Sequence, residues 1–442
     1  MKRILWFRRD LRLEDNPLLA LGGEVLPIFI FDTTILKKLK TDDRRVAFIF
    51  ARVLALKKEL QRKGLNLKLF FADPLDVFTS LAVLGFDEVA AGGDYDAYAR
   101  QRDLEISHIL PFNYLHDTYI FRPDEILKSD QTPYLVFTPF YNKAKTLFTK
   151  QHLLEHPFAQ HRLFPTDYEG IEKLEVSSKT KRKEAIESIG FTSMPICIKD
   201  PHELLNNFDL NAYAGNRDTP ERQGTSGLSL HLRFGTISIR EVLRFLARKK
   251  RSGIETEAFF RQLVFRDFYA YLLYHFPRIE KENYKYRFAG IQDEKKYKAF
   301  CEAKTGVPII DAGIKELIQT GYMHNRIRMV CASFFTKDLL LPWQWGEAFF
   351  AEHLLDYDAA SNILSWQWSA GTGVDPQPYF RIFNPYLQSK KFDKDAGYIK
   401  SFCPELSEIE PKPLHEEDAV FEHTITNYLN PTARHKQAAH KG

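Results

Sequence analysis

The chain has 442 residues, of which 44% are hydrophobic and 27% are charged, and its formal net charge is +4. This composition is typical of a soluble globular protein, and the length favours two or three domains over a single core. No run of about 18 apolar residues is present, so no transmembrane helix is expected. The polar start, Met1–Asp10, argues against a secretory signal. The four cysteines form no CxxC pair, which favours reduced thiols in the cytoplasm over disulfides or a zinc site.

Short apolar runs alternate with helical patterns over about residues 1–125. The predicted strands are residues 3–7, Val25–Phe31, Leu65–Phe71 and Glu88–Ala91. The helical patterns that lie between them are notably Arg44–Lys63 and Pro74–Leu84. This alternation predicts βαβ units and a parallel sheet, hence an α/β N-terminal domain. The turn after the first strand reads Arg8-Arg9-Asp10-Leu11-Arg12 instead of GxGxxG, so a dinucleotide site of the Rossmann type is not supported.

The pattern changes after residue 125. Residues 126–195 contain many prolines and the charged stretch Lys179–Glu184, which indicates a long, partly irregular connector. Residues 196–430 carry helical patterns without strand alternation, which predicts a large all-α domain. Its candidate helices are Ile237–Lys250, Glu257–His275, Val307–Gly321, Asn325–Leu339 and Gly346–Leu355. Residues 431–442 are expected to form a frayed tail.

Four of the five tryptophans lie in one short block of the helical part, at Trp343, Trp345, Trp366 and Trp368. A buried tryptophan needs a partner for its indole N–H, and here acids and arginines are close in sequence. This combination favours a site for a large flat ligand, because charged groups rarely surround an ordinary core. A packed aromatic core is the alternative interpretation.

Positive charge is concentrated between Arg217 and Arg287, where 15 Lys/Arg stand against 8 Asp/Glu. A basic surface of this kind is the expected footprint of phosphate binding. The cluster Arg248–Arg251 belongs to this segment. Taken alone, that cluster is better interpreted as a solvated helix end.

A glycine- and hydroxyl-rich segment, Gly224–Ser229, precedes a helical pattern that starts after Thr236. Small residues let backbone N–H groups and hydroxyls approach phosphate oxygens near a helix start. An ordinary turn is the alternative.

One face of the next predicted helix carries Gln262, Phe265, Arg266 and Tyr269, which are spaced by three or four residues. An amide, a ring and a guanidinium on one face can meet a flat ligand together with its phosphates. A structural arginine stacked on aromatic rings explains the same spacing equally well.

The helix predicted from Asn325 places Asn325, Arg328 and Met329 on one face, whereas Arg326 points elsewhere. Asp356 and Asp358 follow the next helical pattern. A buried pair between Arg328 and an aspartate is expected, because either charge would be costly to bury alone. Acid/base catalysis by the aspartates is less convincing, since neither a nucleophile motif nor metal-ligand spacing accompanies them.

Five motifs in the same order make the chain similar to the photolyase/cryptochrome flavoproteins, most of all to bacterial class I cyclobutane pyrimidine dimer (CPD) photolyases. They are Leu5–Asn16, Thr225–Ser229, Thr320–Met329, Trp366–Trp368 and Tyr379–Pro385. The resemblance implies a Rossmann-like N-terminal domain and a helical domain that holds FAD. It also implies light-driven electron transfer from reduced FAD to a flipped-out dimer in UV-damaged DNA. A cryptochrome-type photoreceptor and a (6-4) photolyase are the alternatives.

The resemblance assigns roles to individual residues. For binding the FAD phosphates and ribityl chain it implies Tyr213, Thr225, Ser226, Gly227, Leu228, Ser229 and Arg266. Beside the flavin ring it implies the pair Arg328–Asp356, with Asp358 and, opposite N5, Asn362. For the dimer pocket it implies Gln262, Phe265, Asn325, Met329 and Trp368. DNA phosphates would contact Arg326 and Arg381, and electrons would pass through Trp366 and Trp343. The residues expected to act most directly in repair are Asn325, Asn362, Gln262 and Trp368.

Several positions depart from the family pattern. Gln262 and Phe265 stand where CPD photolyases usually have glutamate and tryptophan, so a proton donor is missing and one stacking wall is smaller. Asn325 stands where (6-4) photolyases have histidine, which argues against that substrate. The outer relay tryptophan aligns near Gly290. Either a tyrosine replaces it or the relay is shorter; the candidate tyrosines are Tyr284, Tyr286 and Tyr297.

The sequence also leads to expectations about the antenna chromophore and the assembly state. Folate-binding relatives use an Asn-Glu pair where this chain has Tyr98 and Ala99. A deazaflavin or flavin antenna is therefore favoured over folate, and the lack of any antenna is a further alternative. A monomer without membrane contact is expected.

Overall fold

The computed structural model describes residues 1–165, 174–176, 185–222, 224–378 and 380–416. The chain divides into two compact units. The first unit comprises Met1–Thr132, Tyr141–Phe208 and Ser226–Tyr274, and the second comprises Pro133–Phe140, Asp209–Thr225 and the chain from His275 onward. Both units are discontinuous in sequence, and the contiguous domain boundaries at residues 125, 195 and 430 stay predictions. Lys179–Glu184, Tyr379 and the tail 431–442 lie outside the described residues.

A parallel sheet forms the centre of the first unit. Its strands are β1 (Lys2–Phe7), β2 (Gly23–Asp32), β3 (Lys68–Ala72), β4 (Glu88–Gly92), β5 (Phe112–Leu115) and β6 (His161–Leu163). The order is β3-β2-β1-β4-β5, and β6 pairs with β2. In the centre of the sheet, Ile4 is in register with Leu26 on one side and Val89 on the other. These three side chains are buried, as expected for strands covered on both faces.

Helices accompany this sheet. The α-helices of the first 132 residues are α1 (Thr33–Leu36), α2 (Arg44–Arg62), α3 (Pro74–Ala82) and α4 (Ala97–Ser107). The later ones are α6 (Pro201–Asn207), α8 (Ser229–Phe234), α9 (Ile239–Arg251) and α10 (Glu257–His275). Helix α5 (Phe137–Leu147) has residues in both units, and α7 (Leu210–Asn216) belongs to the second unit. Helix α2 buries Val46, Phe50, Val53 and Leu60 on one face, and Asp43 caps its start. The predicted parallel α/β fold is therefore confirmed.

The N-terminal motif forms a buried ion network within the first unit. Arg12 and Arg240 both donate to Asp117, at 2.5 and 2.6 Å. Arg240 and Arg244 both donate to Asp15, each at 2.9 Å. Burial alone raises the pKa of Asp117, but the two arginines outweigh it and lower this pKa to about 2. Each buried charge is thus compensated, which is the condition for keeping it inside a protein.

The described part of the second unit is helical. After α10 its helices are α11 (Glu294–Cys301), α12 (Pro308–Thr320), α13 (Asn325–Ser333), α14 (Trp343–His353), α15 (Ala359–Ala370), α16 (Pro385–Phe392), α17 (Gly397–Phe402) and α18 (Pro411–Leu414). A π-helical turn, Phe334–Asp338, extends α13. The helix predicted over Asn325–Leu339 therefore changes its hydrogen-bonding pattern near its end. No helix in the described ranges is long and apolar enough to cross a membrane.

Candidate functional site

The tryptophan block lies within the second unit on α14 and α15. Trp343 and Trp366 are almost fully buried. The Trp366 ring lies 5.4 Å from the Phe335 ring and 4.9 Å from the Phe350 ring, between centroids. Trp343 donates its indole N–H to Asn283 Oδ1 at 2.7 Å. The inner members of the block are therefore core side chains, and the Trp343 indole N–H has its acceptor, whereas a site for a flat ligand at this block stays a prediction.

Trp368 and Trp345 have different surroundings. The Trp368 ring is half-buried and lies 6.2 Å from Phe383. Trp345 packs edge-to-face on Tyr297 at 5.2 Å. A ring that is partly open to solvent can stack on a ligand, whereas Trp345 fills space beside Tyr297.

Gln367, between Trp366 and Trp368, was missed from the sequence. Its side chain is fully buried. Its amide donates to the carbonyls of Ile279 at 2.7 Å and Glu282 at 3.0 Å, and its carbonyl accepts from the Tyr284 N–H at 3.4 Å. Gln367 thus fixes the loop that follows α10. Local sequence carried no signal for this role, because its partners lie more than 80 positions away.

The predicted pair between Arg328 and Asp356 is present. Arg328 Nη2 lies 3.1 and 3.0 Å from the two carboxylate oxygens of Asp356, and Arg328 Nε donates to the Met323 carbonyl at 2.7 Å. Burial disfavours the charged guanidinium, but Asp356 more than compensates, so the pKa of Arg328 is raised. Asp358 accepts from the Ser361 N–H at 3.1 Å and caps α15.

Asn362 is held by Glu347, a residue that no sequence motif indicated. Its Nδ2 donates to Glu347 Oε1 at 3.0 Å and to the Glu347 carbonyl at 3.2 Å. The Tyr357 hydroxyl donates to the same Oε1 at 3.1 Å. Burial raises the pKa of Glu347, against the effect of these two hydrogen bonds. Because both amide hydrogens have protein acceptors, the Asn362 carbonyl oxygen is the atom left to meet a donor.

Helix α13 presents its polar side chains in two directions. Asn325 Nδ2 lies 3.7 Å from Met329 Sδ, so these side chains meet on one face. Arg326 Nη2 pairs instead with Asp218 at 2.9 Å, and its guanidinium lies 4.3 Å from the centre of the Phe392 ring. Arg326 is therefore anchored on both sides.

The backbone at Arg381 has a contact of its own. Lys337 Nζ donates to the Arg381 carbonyl at 2.9 Å.

In the first unit, Gln262, Phe265, Arg266 and Tyr269 form the half-buried face of α10. The Phe265 and Tyr269 rings pack edge-to-face at 4.8 Å. Arg266 donates to the carbonyls of Thr118 and Leu232 at 2.7 and 3.0 Å, and its guanidinium lies 4.4 Å from the Tyr119 ring centre. These are the contacts of the structural alternative, an arginine stacked on an aromatic ring. The role of Arg266 in FAD binding stays a prediction.

The Gly224–Ser229 segment has the backbone of a tight loop. A Cβ at Gly224 would lie 2.6 Å from the Asn216 carbonyl oxygen, so only glycine fits, and Gly227 has φ +67°. The Leu228 N–H donates to Ser226 Oγ at 3.4 Å, and Ser229 begins α8. Tyr213 is buried nearby in sequence, on α7. Hydroxyls and backbone N–H groups on such a loop are the donors that phosphate groups need, so this chemistry fits a phosphate-bearing cofactor.

No group of three or more His, Cys, Asp or Glu side chains that could hold a metal ion occurs in the part of the chain that the structure describes.

Comparisons with known proteins agree with this geometry. Residues 3–160 match the family model described as DNA photolyase, and residues 259–441 match the model described as the FAD binding domain of DNA photolyase. Curated relatives include the deoxyribodipyrimidine photo-lyases of Alkalihalophilus pseudofirmus and Synechococcus. They are 33% and 35% identical to this chain, and the alignments cover 94% and 93% of it and 89% of each relative.

Solved structures give the same result. A bacterial class III photolyase from Agrobacterium tumefaciens has a TM-score of 0.83 and 31% identity, with 99% of this chain and 95% of that one covered. An archaeal photolyase from Sulfolobus tokodaii, solved with two FAD molecules, has a TM-score of 0.83 and 30% identity. The match covers 100% of this chain and 99% of that chain. A cryptochrome from Synechocystis shares the fold: its TM-score is 0.80 and its identity is 21%, with 94% of this chain and 91% of that chain covered. The chain belongs to the DNA photolyase family, with its FAD-binding domain.

Proposed function

We propose that this protein repairs cyclobutane pyrimidine dimers in DNA with light and FAD. The observation that carries the proposal is the polar set of the second unit, where Arg328 pairs with Asp356 and Asn362 is oriented by Glu347. When bound and reduced, FAD supplies the light-driven electron that opens the cyclobutane ring. The chain's own residues bind and orient the two reactants and exclude water.

Within the second unit, Arg328 and Asp356 would flank the flavin ring, and Asp358 would contact the ring or the ribityl chain. The Asn362 carbonyl would accept from the N5–H of the flavin, because Glu347 already takes its amide hydrogens. Tyr213 and Thr225 would bind the phosphates and ribityl chain. Extruded bases need aromatic and polar walls, which Trp368, Asn325 and Met329 would provide. Arg326 and Arg381 would contact DNA phosphates.

Within the first unit, Ser226, Gly227, Leu228, Ser229 and Arg266 would contact the flavin phosphates and ribityl chain. Gln262 and Phe265 would meet the dimer. A glutamine can donate and accept hydrogen bonds but cannot supply a proton, so Gln262 would orient the dimer without protonating it. Asn325 cannot act as the histidine of (6-4) photolyases, which favours the cyclobutane dimer as the substrate.

We propose that Trp366 and Trp343 carry electrons to the flavin during its photoreduction. One candidate for the outer member is Tyr297, which lies 6.2 Å from Phe335, itself 5.4 Å from Trp366, so its ring contacts lead to the inner tryptophan. Tyr286 is the exposed alternative, because Asn283 bonds both to the Trp343 indole and to the Tyr286 carbonyl. Transient absorption of Tyr297→Phe and Tyr286→Phe should identify the tyrosine whose radical signal disappears. Detection of no tyrosyl radical in the unmodified protein would contradict both choices.

Three further properties are proposed. A deazaflavin or flavin antenna is favoured over folate, because Tyr98 donates to Asp32 at 2.7 Å and Ala99 is buried at the position of the folate-binding pair. The second FAD in the Sulfolobus tokodaii relative, whose structure was described as implying a novel light-harvesting cofactor, supports the flavin choice.

A monomer in the cytoplasm is proposed. The four free cysteines agree with a reducing compartment.

The deciding experiment illuminates the purified protein, with its flavin chemically reduced, together with an oligonucleotide that contains one thymine dimer. Recovery of thymine absorbance is expected in the light and not in the dark. An undimerised oligonucleotide gives the baseline. No recovery with flavin bound and reduced would reject the enzymatic function and leave the photoreceptor.

A further inference from the structure

The surface loop Arg278–Phe288 of the second unit ends in alternating rings and cations. Its last five residues are Tyr284, Lys285, Tyr286, Arg287 and Phe288. Together with Arg278 they line a cavity of about 590 Å³, a size within the usual range of ligand sites. Glu282 is the one acid of the lining, against three cations. The cavity is therefore positively charged and has aromatic walls.

The rings of this loop are open to solvent and ordered against each other. Tyr286 and Phe288 are 62% and 39% exposed. Their ring centroids lie 5.8 Å apart with an interplanar angle of 30°. The Arg278 guanidinium lies 5.3 Å from the Tyr284 ring centre. Large apolar rings that are left exposed beside cations point to a ligand that covers them.

The loop is built as a fixed platform. Asn283 Nδ2 donates to the carbonyls of Tyr286 and Phe288 at 3.0 and 3.3 Å, while its Oδ1 accepts from Trp343. The Lys285 N–H donates to the Thr372 carbonyl at 2.8 Å. Tyr286 has φ +51°, a left-handed conformation that surrounding contacts must maintain. Such a loop loses little conformational entropy when a ligand binds.

We propose that this loop binds a nucleoside phosphate, either as a free nucleotide or as a unit of single-stranded nucleic acid. The base stacks on the Tyr286–Phe288 pair, because aromatic rings accept any base face. The phosphate pairs with Lys285, Arg287 and Arg278, whose charge complements it. Tyr286 is also a candidate for the outer relay member, but no residue of the loop is proposed to contact the flavin or the dimer, so the site adds a binding activity to the proposed repair function.

The test uses the flavin-loaded protein and two probes at low salt. Thymidine 5′-monophosphate is titrated by calorimetry, and a fluorescent oligothymidylate is titrated by anisotropy. Replacing Lys285 and Arg287 together by alanine should weaken binding about tenfold or more through lost phosphate contacts. Phe288→Ala should weaken it about tenfold through lost stacking. Lys281→Ala is the matched control, because Lys281 is an exposed cation of the same loop outside the cavity lining.

The pattern of losses separates the two sources of the ligand. If the loop variants lose affinity equally for both probes, the ligand is a free nucleotide. If they lose affinity for the oligonucleotide alone, the ligand is single-stranded nucleic acid. Unchanged binding of both probes in the loop variants would overturn the proposal, as would equal competition by inorganic phosphate, since base stacking is part of it. Repair by the chemically reduced Phe288→Ala protein should match the unmodified protein, because Phe288 is not among the residues proposed for the flavin, the dimer or the DNA phosphates. Failure of this inference is therefore distinct from failure of the repair function.

Discussion

Glu347 fixes the orientation of the Asn362 amide by accepting both of its N–H groups, one on Oε1 at 3.0 Å and one on the backbone carbonyl at 3.2 Å. Replacing Glu347 by glutamine introduces a side-chain amide that can donate to Asn362, so the Asn362 amide loses its fixed direction. The midpoint potential of the bound flavin is expected to shift, with little change in FAD content. Spectroelectrochemistry measures the potential. An unchanged potential would refute the positioning role, and Tyr357→Phe, which leaves the Asn362 contacts intact, is the control.

The ion pair between Arg328 and Asp356 should stabilise the folded protein, and the effects of replacing its two members should not be additive. Arg328→Met leaves the nearly buried Asp356 carboxylate without its cation, and the loss of a charged hydrogen-bonded partner costs about 2–3 kcal/mol. Asp356→Asn should cost less, and the double variant should cost less than the sum of the two. Urea denaturation of the three variants gives these values. Strictly additive losses would contradict the direct pairing.

Gly346→Ala tests the packing around Trp366. A Cβ at Gly346 would overlap the Trp366 indole, so the ring must move, and overpacking of this kind costs about 1–3 kcal/mol. Photoreduction of the flavin should slow as the relay geometry changes. Gly215→Ala is the control, because a Cβ there meets nothing within 4 Å. Equal behaviour of the two variants in denaturation and photoreduction assays would exclude a tight contact.

Asp267 should make stability fall with rising pH. Its Oδ2 accepts from the N–H groups of Ile120 and Phe121 at 2.8 and 2.9 Å, yet burial dominates and raises its pKa to about 7. The protonated carboxyl therefore favours folding below about pH 4, and this contribution is lost as the pH rises through 7. The unfolding free energy of Asp267→Asn should vary less over that window. Parallel pH profiles of the two proteins would contradict the assignment.

Gln262→Glu restores a carboxyl that can donate a proton to the dimer. Its quantum yield of repair, measured at a fixed light dose with reduced flavin, is expected to rise. Gln262→Ala, which removes the hydrogen bonds as well, should lower the yield. A yield for the glutamate variant at or below that of the unmodified protein would count against a proton-donating role at this position.

The sequence allowed the parallel sheet to be predicted because buried strands read as continuous apolar runs, as in residues 3–7 and Val25–Phe31. It did not predict β5 and β6, since Phe112–Leu115 and His161–Leu163 are short and partly exposed and lack such a run. The pair Arg328–Asp356 followed from the cost of burying one charge alone. By contrast, Glu347, Gln367 and the Asp218 partner of Arg326 depend on tertiary contacts, which no local pattern encodes.

The ion network of Arg12, Asp117, Arg240 and Asp15 has a consequence for synthesis on the ribosome. Arg12, Asp15 and Asp117 emerge long before Arg240 and Arg244, which lie in α9. Until α9 is made, Asp15 lacks both of its cations and Asp117 lacks one of two, so burying them is unfavourable. These two carboxylates therefore gain their full set of cations only after α9 has been translated. A fragment that ends at residue 125 should consequently be less stable than its apolar strands alone would indicate.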